Sequence, residues 1–136
     1  MIHLDTSLLV DLDREVRRSR PGPALDFLES LDDREVLAVS VHAVCELRVG
    51  SELAPKALKA HDALDHLLSN LLICYPDDRF PSEFARLSAA TTRSGRIVVP
   101  AMDLLIATAA VLDNAPLVTR NVKGFSRVPG LRVLKY

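Results

Sequence analysis

The chain has 136 residues, 49% hydrophobic and 26% charged, with 17 Lys and Arg against 18 Asp and Glu for a formal net charge of −1. That length suits a single domain over residues 1–136, able to bury a core without disulfides or a structural metal, and the composition excludes disorder and a coiled coil. The near-neutral balance excludes a general basic coat for nucleic acid. Only Lys56, Lys59, Lys123 and Lys135 are lysine, however, and the arginines that make up the rest suit bidentate contact with phosphate or carboxylate in local patches.

Met1 leads straight into an apolar strand, Ile2 to Leu4, without the basic, apolar and small-residue succession of a secretory leader, so a cytoplasmic protein is expected. Asp5-Thr6-Ser7 offers side-chain oxygens to cap a helix from Leu8 to about Arg17. Pro21-Gly22-Pro23 breaks the chain, and Ala24, Leu25, Phe27, Leu28 and Leu31 recur at helical spacing. Val36 to Val39 is a continuous apolar run of the kind a parallel strand buried on both faces requires, and Ser40 caps a helix from Val41 to about Leu53. Pro55 opens a fourth helix whose stripe is Leu58, Leu64, Leu67, Leu68 and Leu71, and Leu72 to Tyr75 gives a third strand. Phe84, Leu87 and Ala90 mark a helix up to Gly95. Pro100 introduces the most apolar helix, Ala101 to Asp113, and the whole apolar stretch from Ile97 to Leu112 falls short of the roughly 20 residues that span a bilayer. Leu117 to Thr119 is a fourth strand, Asn121 to Pro129 is turn-rich, and Leu131 to Leu134 closes the sheet as a fifth. Cys45 and Cys74 lack zinc-ligand spacing and read as small core residues.

Strands alternating with helices imply an α/β fold, a three-layer α/β/α sandwich with a mostly parallel sheet of four to five strands. Ligands of such sheets bind beyond the carboxyl ends of the strands, near the point where strand order reverses. The polar residues there are Asp5, Ser40 and Thr119.

Asp5 reads either as a helix cap or as a ligand. Glu46, among Val44, Cys45, Leu47 and Val49, is either a surface glutamate or a carboxylate turned inward. Asp103, three residues after Pro100, either complements the helix dipole or joins them in one cleft. Three unpaired carboxylates would repel one another, and a hard divalent cation with oxygen ligands removes that cost.

The ordered set Asp5-Thr6-Ser7, Glu46-Leu47 with Gly50, Asp103-Leu104-Leu105-Ile106-Ala107 and Leu117-Val118-Thr119-Arg120-Asn121 followed by Phe125 resembles the PIN-domain ribonucleases over the whole chain. Within them it is most similar to the VapC-type toxins of bacterial toxin–antitoxin pairs. The resemblance implies a PIN-like fold and a Mg²⁺- or Mn²⁺-dependent endoribonuclease. It places Asp5 and Asp103 as the principal metal ligands, Glu46 as a direct or water-mediated one, and Thr119 and Asn121 as supports for a water or second metal, with Thr6 shaping the turn. The family often has Asp where this chain has Asn121, and an acidic residue or His where it has Gly124. Those departures leave the choice between one metal and two open. The expected reaction is in-line attack on the phosphodiester by a water that the cation activates, leaving 5′-phosphate and 3′-hydroxyl ends. Partners implied by the resemblance are the RNA substrate, a cognate antitoxin that crosses the cleft, and a second copy in a homodimer within a larger toxin–antitoxin complex. No membrane partner is expected.

Arg14, Arg17, Arg18 and Arg20 near the end of the first helix, and Arg120, Lys123 and Arg127 after the fourth strand, form either a solvated face or phosphate-gripping rims. On the second reading Arg17, Arg18, Arg120 and Lys123, with Thr6, contact substrate. Too few aromatics are present for a base-stacking platform. His61 with Asp65 and Asp62 with His66 are i,i+4 pairs read as an ordinary exposed face. Asp11-Leu12-Asp13 is similar to a phosphatase DxD but falls inside a helix. The apolar groove beside Leu8, Leu9, Leu12 and Val16 suits an antitoxin helix. Two other functions stay open. One is a phosphoacceptor signalling domain using Asp5, Thr119, Lys123 and an acceptor at Asp77 or Asp78, and the other is a catalytically silent RNA- or protein-binding domain.

Overall fold

In a computed structural model that describes residues 1–93 and 98–136, the elements follow in the order β1 (Ile2–Leu4), α1 (Thr6–Arg17), α2 (Pro23–Glu29), β2 (Leu37–Ser40), α3 (Val41–Glu52), α4 (Ala57–Leu68), β3 (Leu72–Cys74), α5 (Phe80–Arg93), α6 (Ala101–Leu112), β4 (Leu117–Val118), α7 (Val122–Phe125) and β5 (Val133–Leu134). All pairings are parallel, and the five strands lie in the order β3-β2-β1-β4-β5. From β1 the chain winds outward to β2 and β3, then returns to place β4 on the other side of β1. Strand order therefore reverses between β1 and β4, and the crevice of the fold opens at their carboxyl ends.

Helices flank this sheet. Helix α1 packs against α2, α3 and α4, while α5 packs on α6, which also meets α3. The core is formed by Leu4 and Val39 of the strands, Leu8 and Leu9 of α1, Leu87 of α5, and Leu104, Ile106, Ala107 and Ala110 of α6. Each fully buried leucine contributes about 1.5–3 kcal/mol. Helix α6 is buried on most sides, which is why it carries the chain's longest apolar run. It ends at Asp113, and Asn114 takes a left-handed φ of 49° that turns the chain back toward β4.

Several local expectations change. Helix α1 begins at Thr6 rather than Leu8, and α4 at Ala57 rather than Pro55. The turn-rich stretch after β4 contains the short helix α7, held down by Phe125 in the core. The end of α5 expected at Gly95 lies outside the described residues. Leu58 is 83% exposed, so the buried stripe of α4 runs through Leu64 and Leu68 instead. Cys45 is exposed on α3 and Cys74 half-buried, so neither is a core residue; both are free thiols. Helix α3 buries only Ala43 and Ser51, and Cys45 lies off that face. No described helix is long and apolar enough to cross a membrane.

Candidate active site

Asp5 stands at the carboxyl end of β1 and is 4% exposed. It occupies the N-cap of α1 in an extended conformation, yet its carboxylate makes no capping bond to that helix. Three hydroxyls surround it. Thr119 Oγ1, fully buried at the end of β4, donates to Asp5 Oδ2 at 2.6 Å, and Ser7 Oγ donates to the same oxygen at 2.8 Å. Thr6 Oγ1 lies 3.2 Å from Oδ1 and 2.9 Å from Glu46 Oε2. Having one proton, it favours the shorter contact, and Oδ1 is left the less satisfied oxygen of Asp5. The Thr119 hydroxyl also accepts from Asn121 N at 2.9 Å, and Ser7 Oγ from Arg120 N at 3.1 Å. These bonds tie the loops after β1 and β4 together across the crevice.

The two remaining carboxylates arrive from α3 and α6. The Ser40 hydroxyl accepts from Ala43 N at 3.1 Å, fixing the start of α3 at the carboxyl end of β2, and Glu46 then follows one and a half turns along. Asp103 is in the first turn of α6 and half-buried. Burial, reinforced by the negative charges of Asp5 and Glu46, pushes its carboxyl above the usual range. Three acidic side chains from three elements thus feel one another at a single end of the sheet. An all-oxygen donor set carrying an unsatisfied carboxylate oxygen fits a hard cation such as Mg²⁺ or Mn²⁺ and is a poor match for softer metals.

Asn121 enters differently. Its backbone N–H serves Thr119, but its side chain caps α7 by accepting from Gly124 N at 3.2 Å. A Cβ on residue 124 would fall 2.5 Å from Asn121 Nδ2, so a side chain there would push the asparagine amide out of its cap. The amide is committed to the cap rather than to the acidic cluster.

A cleft of 510 Å³ extends from Thr6 and Glu46 along α1, and its rim carries Arg14, Arg17 and Arg120. Arg17 is paired with Asp13, and Arg120 with Asp11 at 2.5 Å. Arg18 is at the exposed C-cap of α1 and Lys123 on α7, neither lining this cleft. The i,i+4 pairs expected on α4 do not form: His61 meets Glu52 at 3.1 Å and Asp65 meets Arg48 at 2.5 Å. The groove expected beside α1 exists as a 410 Å³ apolar cleft lined by Leu9, Leu12, Val16, Leu25, Leu28 and Leu67. Leu8 belongs to the core instead.

Two residues escape sequence reasoning. Ser7 reads as part of the cap but in fact holds Asp5, and its spacing two residues on from a strand-end aspartate is the only local signal. Asp11 collects Arg120 and the Tyr136 hydroxyl at 2.8 Å, and no local pattern could have found it. Burial, with the Asp11 carboxylate beside it, pushes the Tyr136 hydroxyl up to about 12.

Residues 2–131 match the PIN domain family. Ribonuclease VapC2 of Rickettsia felis is 30% identical over 128 residues, covering 94% of this chain and 92% of that protein. Among solved structures, VapBC2 from Rickettsia felis bound to a promoter DNA fragment superposes with a TM-score of 0.87 at 30% identity, covering 100% of this chain and 99% of that one. VapBC-1 from nontypeable Haemophilus influenzae gives a TM-score of 0.84 at 26% identity, covering 99% and 98%.

Proposed function

Since the chain belongs to the PIN-domain family, we propose that it is a divalent-cation-dependent endoribonuclease, the toxin of a toxin–antitoxin pair that inhibits translation and growth unless its antitoxin neutralises it. The observation that carries this reading is the meeting of Asp5, Glu46 and Asp103 at the strand-order reversal, where Asp103 is pushed up by burial and by the other two charges. Asp5 and Asp103 would hold Mg²⁺ or Mn²⁺, with Glu46 binding directly or through water. When bound, the ion acidifies a water and neutralises charge that builds on the phosphodiester. Ser7 and Thr119 hold Asp5 in one rotamer by bonding to Oδ2, so Oδ1 is the oxygen that would be available to a cation. Thr6 keeps Glu46 beside Asp5. Asn121 contributes the N–H that orients Thr119, and that is its catalytic support role.

Arg14, Arg17 and Arg120 on the cleft rim grip backbone phosphates, with Arg18 and Lys123 extending the track outward. The products carry 5′-phosphate and 3′-hydroxyl ends. The antitoxin places an apolar helix in the groove between α1, α2 and α4, whose walls it shares with the active cleft at Leu9, Asp13, Arg17 and Leu67. The toxin acts in the cytoplasm as a homodimer within that complex. The phosphoacceptor reading has no support in the topology: β3 is the edge strand, two places from β1, and the Asp77 carboxylate after it is held by Arg79 Nε at 2.9 Å and Nη2 at 2.7 Å.

Incubation with structured RNA in Mg²⁺, with and without chelator, tests the proposal. Cleavage by the wild type, abolished by chelator and by Asp103→Ala or Asp5→Asn, is expected. Cleavage that survives chelation, or that Asp5→Asn leaves at the wild-type rate, overturns the assignment, and an intact fold without cleavage in any divalent cation leaves the silent-domain reading.

A further inference from the structure

At the opposite end of α6 from Asp103 is a second group of potential ligands with different chemistry. His3 of β1, Cys74 at the end of β3 and Asp113 at the C-cap of α6 each offer one atom, and the three atoms all lie within 4.8 Å of one another. Ten residues of helix separate Asp113 from Asp103, a rise of about 15 Å, so this group and the acidic cluster cannot share an ion. We propose that His3, Cys74 and Asp113 form a second metal site, selective for a borderline-soft divalent cation of the Zn²⁺ type.

Four features carry the proposal. First, the donor set is one imidazole nitrogen, one sulfur and one carboxylate oxygen, which is zinc-like chemistry and the reverse of the all-oxygen set around Asp5. Second, the His3 ring is 1% exposed and its side-chain hydrogen bond lies in this cluster, Nε2 meeting Asp113 Oδ2 at 2.7 Å. A histidine in the middle of a three-residue strand between buried Ile2 and Leu4 occupies a place where an apolar side chain would cost less. Third, Cys74 and Asp113 line a 250 Å³ cavity, which gives a cation access and room for a water as fourth ligand. Fourth, Arg79 on the wall of that cavity is already neutralised by Asp77.

Tetrahedral coordination at ordinary zinc bond lengths sets neighbouring ligand atoms about 3.3–3.6 Å apart. The His3–Asp113 contact therefore opens by under about 1 Å, a movement the partly exposed Asp113 side chain can make. Binding releases the Cys74 thiol proton to solvent, and the imidazole proton passes from Nε2 to Nδ1. The Nε2 hydrogen bond to Asp113 is thereby exchanged for two bonds to the cation, one from each partner. The site does not depend on the nuclease reading, because none of its ligands belongs to the acidic cluster.

Co²⁺ is a suitable probe, since thiolate ligation gives it a sulfur-to-metal charge-transfer absorption that oxygen ligands cannot produce. The full-length chain is titrated with Co²⁺ and, separately, with Zn²⁺ while its thermal transition is followed. The expected result is a sulfur band that saturates at one thiolate-bound Co²⁺ per chain in the wild type, in Cys45→Ser and in Asp103→Asn, whatever further Co²⁺ the acidic cluster takes up, and loss of the band in Cys74→Ser. Zn²⁺ should raise the melting temperature of Asp103→Asn but not of the Asp103→Asn/Cys74→Ser double variant. Cys74→Ser changes a half-buried member and spares buried His3, and the thermal transition of each variant without added metal reports that it folds. Absence of the band in the wild type overturns the proposal, as does its persistence in Cys74→Ser or its loss in Cys45→Ser or Asp103→Asn.

Discussion

Replacing Thr119 by valine probes how the acidic centre is held. The side chain is fully buried at the end of β4, and its hydroxyl does two things at once: it donates to Asp5 Oδ2 at 2.6 Å and accepts from Asn121 N at 2.9 Å. Valine keeps the shape and removes both bonds. A hydrogen bond to a charged acceptor is worth about 1.5–3 kcal/mol, while the N–H of Asn121, an exposed residue, can turn to water. Ser7 still serves the same Asp5 oxygen, which argues for the lower half of that range, about 2 kcal/mol. For a protein whose total stability is about 5–15 kcal/mol this is a substantial fraction, and at a urea dependence of about 1–3 kcal/mol per molar the midpoint falls by roughly 0.7–2 M. Cleavage should drop at least about tenfold, since Asp5 is then free to leave the rotamer that presents Oδ1. Thr119→Ser keeps the hydroxyl and loses one buried methyl, costing about 1 kcal/mol, and should retain most activity. Urea melts in chelator, followed by circular dichroism and paired with RNA cleavage in Mg²⁺, give both readouts. A Thr119→Val protein that melts and cleaves like the wild type, or a Thr119→Ser protein as poor as the valine variant, would refute the reasoning.

Asp103→Asn should raise the urea midpoint in chelator while abolishing cleavage, because it removes a half-buried charge that Asp5 and Glu46 already disfavour. Its carboxyl is raised above the unfolded value, so the stability it lends is present at low pH and lost as pH rises through its folded pKa. The advantage of Asp103→Asn must therefore grow with pH across that window and vanish below it, as melts at several pH values will show. Protons compete with the cation for the same carboxylate, so Mg²⁺ affinity measured by calorimetry should weaken at a higher pH than ordinary carboxylates would give. Reversing charge at Arg17 and Arg18 should weaken RNA binding and flatten its salt dependence, the logarithmic slope falling by about 0.7 for each phosphate of a single strand that the protein no longer neutralises. Gly124→Ala drives a Cβ into the Asn121 amide and should cost about 1 kcal/mol by breaking the α7 cap; in an Asn121→Ala background the same change should cost nothing further.

Asp5, Ser40 and Thr119 are legible as special because strand ends are readable from apolar runs, and an open parallel sheet has one functional end. Their meeting follows from strand order alone: β4 returns beside β1, so whatever follows each strand must come together. Asp103 is legible because Pro100 sets the start of an apolar helix that has to lie on the sheet. What stays hidden depends on pairings with no local signature. Asp11 looks like one more acid on a helix until Tyr136, 125 residues away, and Arg120 close on it. Glu15 of α1 accepts from Ala24 N at 3.1 Å and Leu25 N at 2.8 Å and so caps α2, supplying what Gly22 at the N-cap lacks, a pairing across the Pro21-Gly22-Pro23 break that no local pattern announces. Cys45 and Leu58 mislead for the converse reason: on short helices packed along one side, an apolar residue outside the stripe is simply exposed. The two groups on α6 are set apart by helix direction. Running antiparallel to strands whose carboxyl ends form the crevice, it brings Asp103 to that end and carries Asp113 away to meet His3, so the all-oxygen group and the mixed one are held about 15 Å apart along one helix.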